Sequence, residues 1–173
     1  MEQKIATPVQ KGLIISLILI FIGLIIYFTG QMENKALSYI QYVVFLGGII
    51  WSCISFAKQM KGNVTFGNVF AHGFKTTAFI AALMAVYTFI SVKFLFPDIV
   101  DKSIEIARKQ MAENKDLSED QIEQAIKMTR EFFVPFAVGG LLLMFAIFGA
   151  IASLVGAAVA KKNPQTPFSQ PQM

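Results

Sequence analysis

Residues 12–29 read GLIISLILIFIGLIIYFT, a stretch with no charged residue and with Ile or Leu at most positions. Wound as an α-helix at about 1.5 Å per residue it reaches roughly 27 Å, close to the thickness of a bilayer's hydrocarbon core. The stretch is apolar on every side, so a helix made of it has no face to offer water. Lys4 and Lys11 before it imitate the start of a secretory signal. The apolar run exceeds the hydrophobic region of such signals, however, and ends in Tyr27-Phe28-Thr29-Gly30 without a small-residue cleavage pattern. It is expected to stay in place as a first membrane span.

Three further blocks repeat the pattern. Residues 37–57 carry Tyr39 and Tyr42 near their start and Trp51 and Lys58 towards their end, groups that favour the membrane boundary. Residues 74–96 include Lys75 and Lys93, each near an end where a long stem can reach the headgroups. Residues 134–160 are longer than a bilayer requires, so tilt or an emergent turn is expected before Lys161 and Lys162 close them. With 55% apolar residues blocked into runs and not interleaved as in a soluble core, the expected fold class is all-α. The chain reads as one membrane domain, a polytopic protein of four transmembrane helices. The tail, residues 163–173, is rich in Pro, Gln, Thr and Ser and is expected to be disordered.

Lys4, Lys11, Lys58, Lys61, Lys161 and Lys162 fall on one side of these spans, and Lys35 alone occupies the opposite short loop. Positive flanks face the cytoplasm, so both termini are expected there. The net charge of +4 is spread over the ends of apolar runs and forms no basic cluster, so the bilayer and not nucleic acid is the expected partner. Cys53 is the single cysteine, which excludes an internal disulfide and a Cys-x-x-Cys metal site.

Residues 97–133 are the one sizeable polar segment. Val100, Ile104, Ala107 and Met111 recur at helical steps, and Ile122, Ile126, Thr129 and Phe133 repeat them after Asn114-Lys115-Asp116. Two amphipathic helices of matching length are expected to form an extramembrane antiparallel hairpin between spans three and four, burying one stripe on the other. Ser118 followed by Gln121 is a capping-box arrangement, and Glu105 with Lys109 and Glu123 with Lys127 are favourable pairs four residues apart. Pro97 and Pro135 suit first turns or kinks. In residues 63–74, Phe66, Val69, Phe70 and Phe74 share a helical face interrupted by Gly67 and Gly73. This segment either lies flat in the cytoplasmic interface or forms the first turns of span three, capped by Thr65.

His72 stands alone, without a neighbouring carboxylate or second ligand, and no Gly-x-Ser-x-Gly or phosphate-loop pattern occurs. As drawn, the four spans hold no Asp, Glu, Arg or His, which argues against an ion-coupled carrier. No catalytic, cofactor-binding or metal-ligating residues are expected, and the protein is not expected to be an enzyme. Small residues recur every fourth position at Gly149, Ser153 and Ala157 and again at Ala152, Gly156 and Ala160, as helices packed in lipid require.

Val64-Thr65-Phe66-Gly67-Asn68-Val69-Phe70, leading to Gly73-Phe74, resembles the Phe-Gly signature of the bacterial family known as domain of unknown function 4199. Leu117-Ser118-Glu119-Asp120-Gln121-Ile122-Glu123-Gln124, inside a polar hairpin before the last span, resembles that family as well. The resemblance covers nearly the whole chain and implies a small four-span protein of a bacterial inner membrane, with no implied activity, substrate or cofactor. The expected role is a non-enzymatic envelope scaffold or interaction subunit that meets a membrane-protein partner or a second copy of itself. Its expected interaction surface is Phe66, Gly67, Phe70, Val100, Ile104, Met111, Ile122 and Ile126. The alternatives are a transporter or channel for a small or lipid-like solute and an accessory subunit of a membrane enzyme.

Overall fold

A computed structural model of the chain describes residues 5–113 and 118–163. The Asn114-Lys115-Asp116 connection, Lys4 and nearly all of the tail, residues 164–173, lie outside the described residues. Among those described there are six α-helices and no strand: α1 (Pro8–Phe28), α2 (Lys35–Gln59), α3 (Phe66–Ile90), α4 (Ile99–Ala112), α5 (Glu119–Glu131) and α6 (Phe133–Val159). Four segments, Pro8–Phe28, Ala36–Gln59, Phe66–Leu95 and Phe133–Val159, are long and apolar enough to cross a membrane.

Capping chemistry sets several of the helix ends. Thr7 and Gln10 form a reciprocal capping box around Pro8 at the first position of α1. That places the start of the helix four residues before the charge-free run and takes Lys11 into its second turn. Thr65 Oγ1 accepts from the Asn68 N–H at 3.2 Å, so the Phe-Gly stretch forms the first turns of α3. His72 is thereby carried into this long apolar helix. Past Ile90 the helix widens into one π-helical turn, Ser91–Leu95, in which the Phe96 N–H donates to the Ser91 carbonyl at 2.7 Å. Pro97 follows immediately.

The chain divides into two compact units. The first comprises residues 1–82 and 144–173 and joins α1, α2, the beginning of α3 and the end of α6. Its helices approach closely through glycine. A Cβ on Gly12 would lie 2.7 Å from the Phe79 ring, one on Gly73 2.5 Å from Cys53 Sγ and 2.8 Å from Ser153 Oγ, and one on Gly156 2.7 Å from Cys53 Cβ. Both small-residue ladders of α6 point inward: Gly149, Ala152, Ser153, Gly156, Ala157 and Ala160 are all buried. Phe45 and Phe145 stack at 4.4 Å between ring centres.

The second unit, residues 83–143, contains the hairpin. Ile104 and Ile126 are the buried side chains of α4 and α5, and Arg108–Glu123 (2.7 Å) and Arg130–Asp101 (2.8 Å) cross from one helix to the other. Glu105 pairs with Lys109 as its spacing anticipates, at 3.2 Å, whereas Glu123 reaches across to Arg108 and not down its own helix to Lys127. All these charges are at least half exposed, so each pair is worth at most about 1 kcal/mol. The Ser118–Gln121 capping box is formed, with Gln121 N–H donating to Ser118 Oγ at 3.3 Å. Ser118→Ala should cost about 1 kcal/mol of local helix stability. Hydrogen exchange would read this as faster amide exchange in residues 119–121, and unchanged protection there would show the cap to be idle.

Candidate functional site

The first unit has the polarity of a lipid-embedded bundle, with large apolar groups outside and polar groups inside. Leu17, Phe21 and Phe28 of α1, Val43 and Trp51 of α2, and Ile151 and Leu154 of α6 are exposed, whereas Lys11, Ser16, Ser52, His72, Thr76, Thr77 and Ser153 are buried. In water such a surface would be a large apolar patch; in lipid it is the natural exterior, and interior polar groups join the helices by hydrogen bonds.

These polar groups meet where α1, α2 and α3 come together. The register that starts at Thr7 puts Lys11, Gly12, Ile15, Ser16 and Leu19 on the inner face of α1. Lys11 is 1% exposed. Its ammonium donates to the Ser52 carbonyl at 3.1 Å and lies 3.4 Å from His72 Nε2. An ammonium offers donors and no acceptor, so the contact is a hydrogen bond when Nε2 carries no proton and accepts. The Phe56 ring stacks on the imidazole at 4.2 Å between centres and 10° between planes, which fixes the ring's orientation.

Thr76 extends the network. Its hydroxyl donates to the His72 carbonyl at 2.9 Å and lies 3.1 Å from Ser52 Oγ. A hydroxyl has one proton to give, so Ser52 must donate to Thr76. Farther along, Thr77 donates to the Gly73 carbonyl and Ser153 to the Gly149 carbonyl. Ser16 Oγ, one turn deeper on α1 than Lys11, is buried and has no partner among the described residues. The arrangement is a sealed pair of nitrogen bases sharing one contact, with no acidic side chain among their described bonding partners. It can hold a proton between two helices. Among the described residues no group of three His, Cys, Asp or Glu side chains could hold a metal ion.

This corrects the expectation that Lys11 is a membrane-edge lysine, and it places His72 inside α3, where the span drawn from residue 74 holds no histidine. A span drawn from hydropathy starts where the apolar run starts, at Gly12 and at Phe74, and so leaves out the polar residue just before it that the helix already contains. The cap signals Thr7-Pro8-x-Gln10 and Thr65-x-x-Asn68 are legible in the sequence and place both residues inside helices.

The expected interaction residues divide between the units. Phe66 and Gly67 are exposed on the first turn of α3, and Phe70 is half-buried and stacked on Phe74 at 5.9 Å. In the second unit Val100, Met111 and Ile122 are half-buried, and Ile104 and Ile126 are fully buried. The stripe is largely used within the hairpin, which leaves mostly charged faces outward. No curated protein and no solved structure gives a match to the chain. The family model described as "Protein of unknown function (DUF4199)" matches residues 10–162, from the helical turn that carries Lys11 to the lysines that follow α6, and the chain belongs to that family.

Proposed function

We propose that this chain is a multi-pass protein of a bacterial inner membrane, with both termini in the cytoplasm, that acts as a non-enzymatic scaffold. In this reading its spans anchor the α4–α5 hairpin, which meets a second membrane protein or a second copy of the chain. The observation that carries the proposal is the close approach of the helices of the first unit at Gly12, Gly73, Gly149 and Gly156, where even a Cβ would press into a neighbouring side chain. The concentration of charge on α4 and α5 supports the placement of the contact surface there. Lys58, Lys61, Lys161 and Lys162 support the orientation, with Lys11 withdrawn from that count by its burial.

Cross-linking of membranes followed by purification in mild detergent should recover a stoichiometric partner or a dimer, and deletion of residues 98–131 should abolish it. A monomer without partners, unchanged in behaviour by that deletion, would overturn the scaffold reading. Fractionation with the membrane after alkaline wash tests the bilayer assignment by itself.

A second reading, a carrier for a small or lipid-like solute, is favoured by the Lys11–His72 contact, because coupled carriers need a titratable group within the membrane. Flux in proteoliposomes that Lys11→Met abolishes would favour this reading. Flux equal to that of empty liposomes would remove it.

A further inference from the structure

Between the C-terminal ends of α2 and α6 the first unit opens a cavity of about 530 Å³ lined by Lys58, Lys61, Lys161 and Lys162, together with Gly62 and Asn163. The backbone holds the two segments together. Gly62 N–H donates to the Ala57 carbonyl at 2.8 Å, closing the turn after α2, and Asn163 N–H donates to the Gly62 carbonyl at 2.7 Å, tying that turn to the chain after α6. Lysines far apart in sequence are thereby held at one opening.

Two features set this cluster apart from ordinary membrane-edge lysines, whose stems reach the headgroups and whose charge complements a helix C-terminus. The first is backbone conformation. Lys61 has φ 52°, in the left-handed region that residues with a side chain seldom occupy, and Gly62 follows at φ 79°. The second is the absence of compensation. Apart from Glu2 and Glu33, every acid of the chain lies between residues 98 and 131. Glu2 is outside the described residues, and Glu33 precedes the opposite end of α2. Lys162 is committed: its ammonium bonds the carbonyls of Ala157, Ala158 and Ala160 and lies 5.7 Å from the centre of the Phe66 ring, so it caps α6. Lys58, Lys61 and Lys161 make no ion pair with a described acid.

We propose that this cavity binds a phosphate-bearing anion, with Lys58, Lys61 and Lys161 as its ligands. Phosphate oxygens accept charge-assisted bonds from ammonium groups, and one such group between the three lysines relieves their mutual repulsion while bridging the ends of α2 and α6. The same chemistry is offered by the headgroup of an anionic phospholipid and by free phosphate. The headgroup source rests on the membrane reading above; the free ion does not.

The test uses the full chain purified in a non-ionic detergent and titrated with short-chain phosphatidylglycerol, phosphatidylcholine or sodium phosphate, bound lipid being counted by native mass spectrometry and phosphate binding by calorimetry. Phosphatidylglycerol should bind tighter than phosphatidylcholine and weaken as salt rises. Lys58→Gln and Lys161→Gln should each lower affinity about fivefold, while Lys102→Gln on α4 leaves it unchanged. Lys61→Gly, which relieves the left-handed backbone, should keep or raise the melting temperature while weakening binding, an outcome a purely structural lysine does not produce. Displacement of phosphatidylglycerol by sodium phosphate assigns the site to the free ion, and lipid that phosphate does not displace assigns it to the headgroup. Equal binding of the two lipids with no binding of phosphate overturns the proposal, as do lysine variants that bind like the parent chain. Because the phosphate titration needs no bilayer, its failure is distinguishable from failure of the chain to fractionate with membranes.

Discussion

Gly149→Val is expected to unpack the first unit. A Cβ at this position would sit 2.7 Å from Thr77 Oγ1 and 2.9 Å from Thr77 Cβ, and valine adds two methyl groups beyond it. Thr77 cannot turn aside freely, because it is buried and its hydroxyl is bonded to the Gly73 carbonyl at 3.1 Å on the same helix. Relief must come from moving α3 away from α6, which also opens the Gly73–Ser153 contact and draws Gly73 or Gly156 away from Cys53 on α2. Over-packing of this kind costs about 1–3 kcal/mol, and a clash with so little room belongs at or above the upper end. Cys53, fully buried and the only cysteine, supplies the readout. The parent chain in mild detergent should resist maleimide labelling at Cys53, and Gly149→Val should label readily and unfold at lower denaturant. Gly47→Ala and Gly139→Ala are controls, since a Cβ at either meets nothing within 4 Å; both should be neutral or slightly stabilising. Equal labelling of the parent chain and Gly149→Val would show the interior to be loose and would remove the main support for a scaffold.

The second large effect is expected at the buried pair, with opposite signs for its two members. His72→Ala removes a ring stacked on Phe56 and a partner of the Lys11 ammonium, and leaves a hole at the junction of three helices. Large-to-small changes at such positions cost about 2–5 kcal/mol. Lys11→Met keeps most of the side-chain volume and removes a charge that is 1% exposed. A buried charge without a counter-ion carries an uncompensated desolvation cost, so an apolar group of similar size in its place is expected to be neutral or stabilising. The expected order of unfolding midpoints is therefore Lys11→Met at or above the parent chain and His72→Ala well below it. A Lys11→Met variant that is more stable but has lost its cellular role would mark Lys11 as kept for function at a cost in stability. If Lys11→Met fell as far as His72→Ala, the ammonium would instead be part of what holds the helices together.

Much of this architecture can be read from composition and period. The four apolar blocks place the long helices, and the steps of four, three and four from Val100 and Ile122 place the amphipathic pair whose buried residues are Ile104 and Ile126. Ser118 and Gln121 identify the start of α5 to the residue. The buried pair leaves no trace in hydropathy, although Thr7-Pro8-x-Gln10 announces a helix that contains Lys11. Hydropathy begins a span at its apolar run, whereas backbone hydrogen bonding begins the helix at a cap, and the two criteria diverge wherever a polar residue is buried in the first turns.

The number of long apolar helices and the polar hairpin before the last of them follow from runs and periods along one dimension, and the family follows from motifs in order along the chain. Which face of each helix turns inward is set by contacts between helices. In lipid the outer surface is as apolar as the core, so a helix such as α1, apolar on nearly every side, carries no hydropathy signal for its own orientation. Contact resolves it: glycines go where backbones meet, and Lys11, Ser52, His72 and Thr76 go where they can bond one another. The stretch at residues 12–29 is thus part of a helix long and apolar enough to cross a membrane, and the lysine just before it belongs inside the helix that the stretch completes.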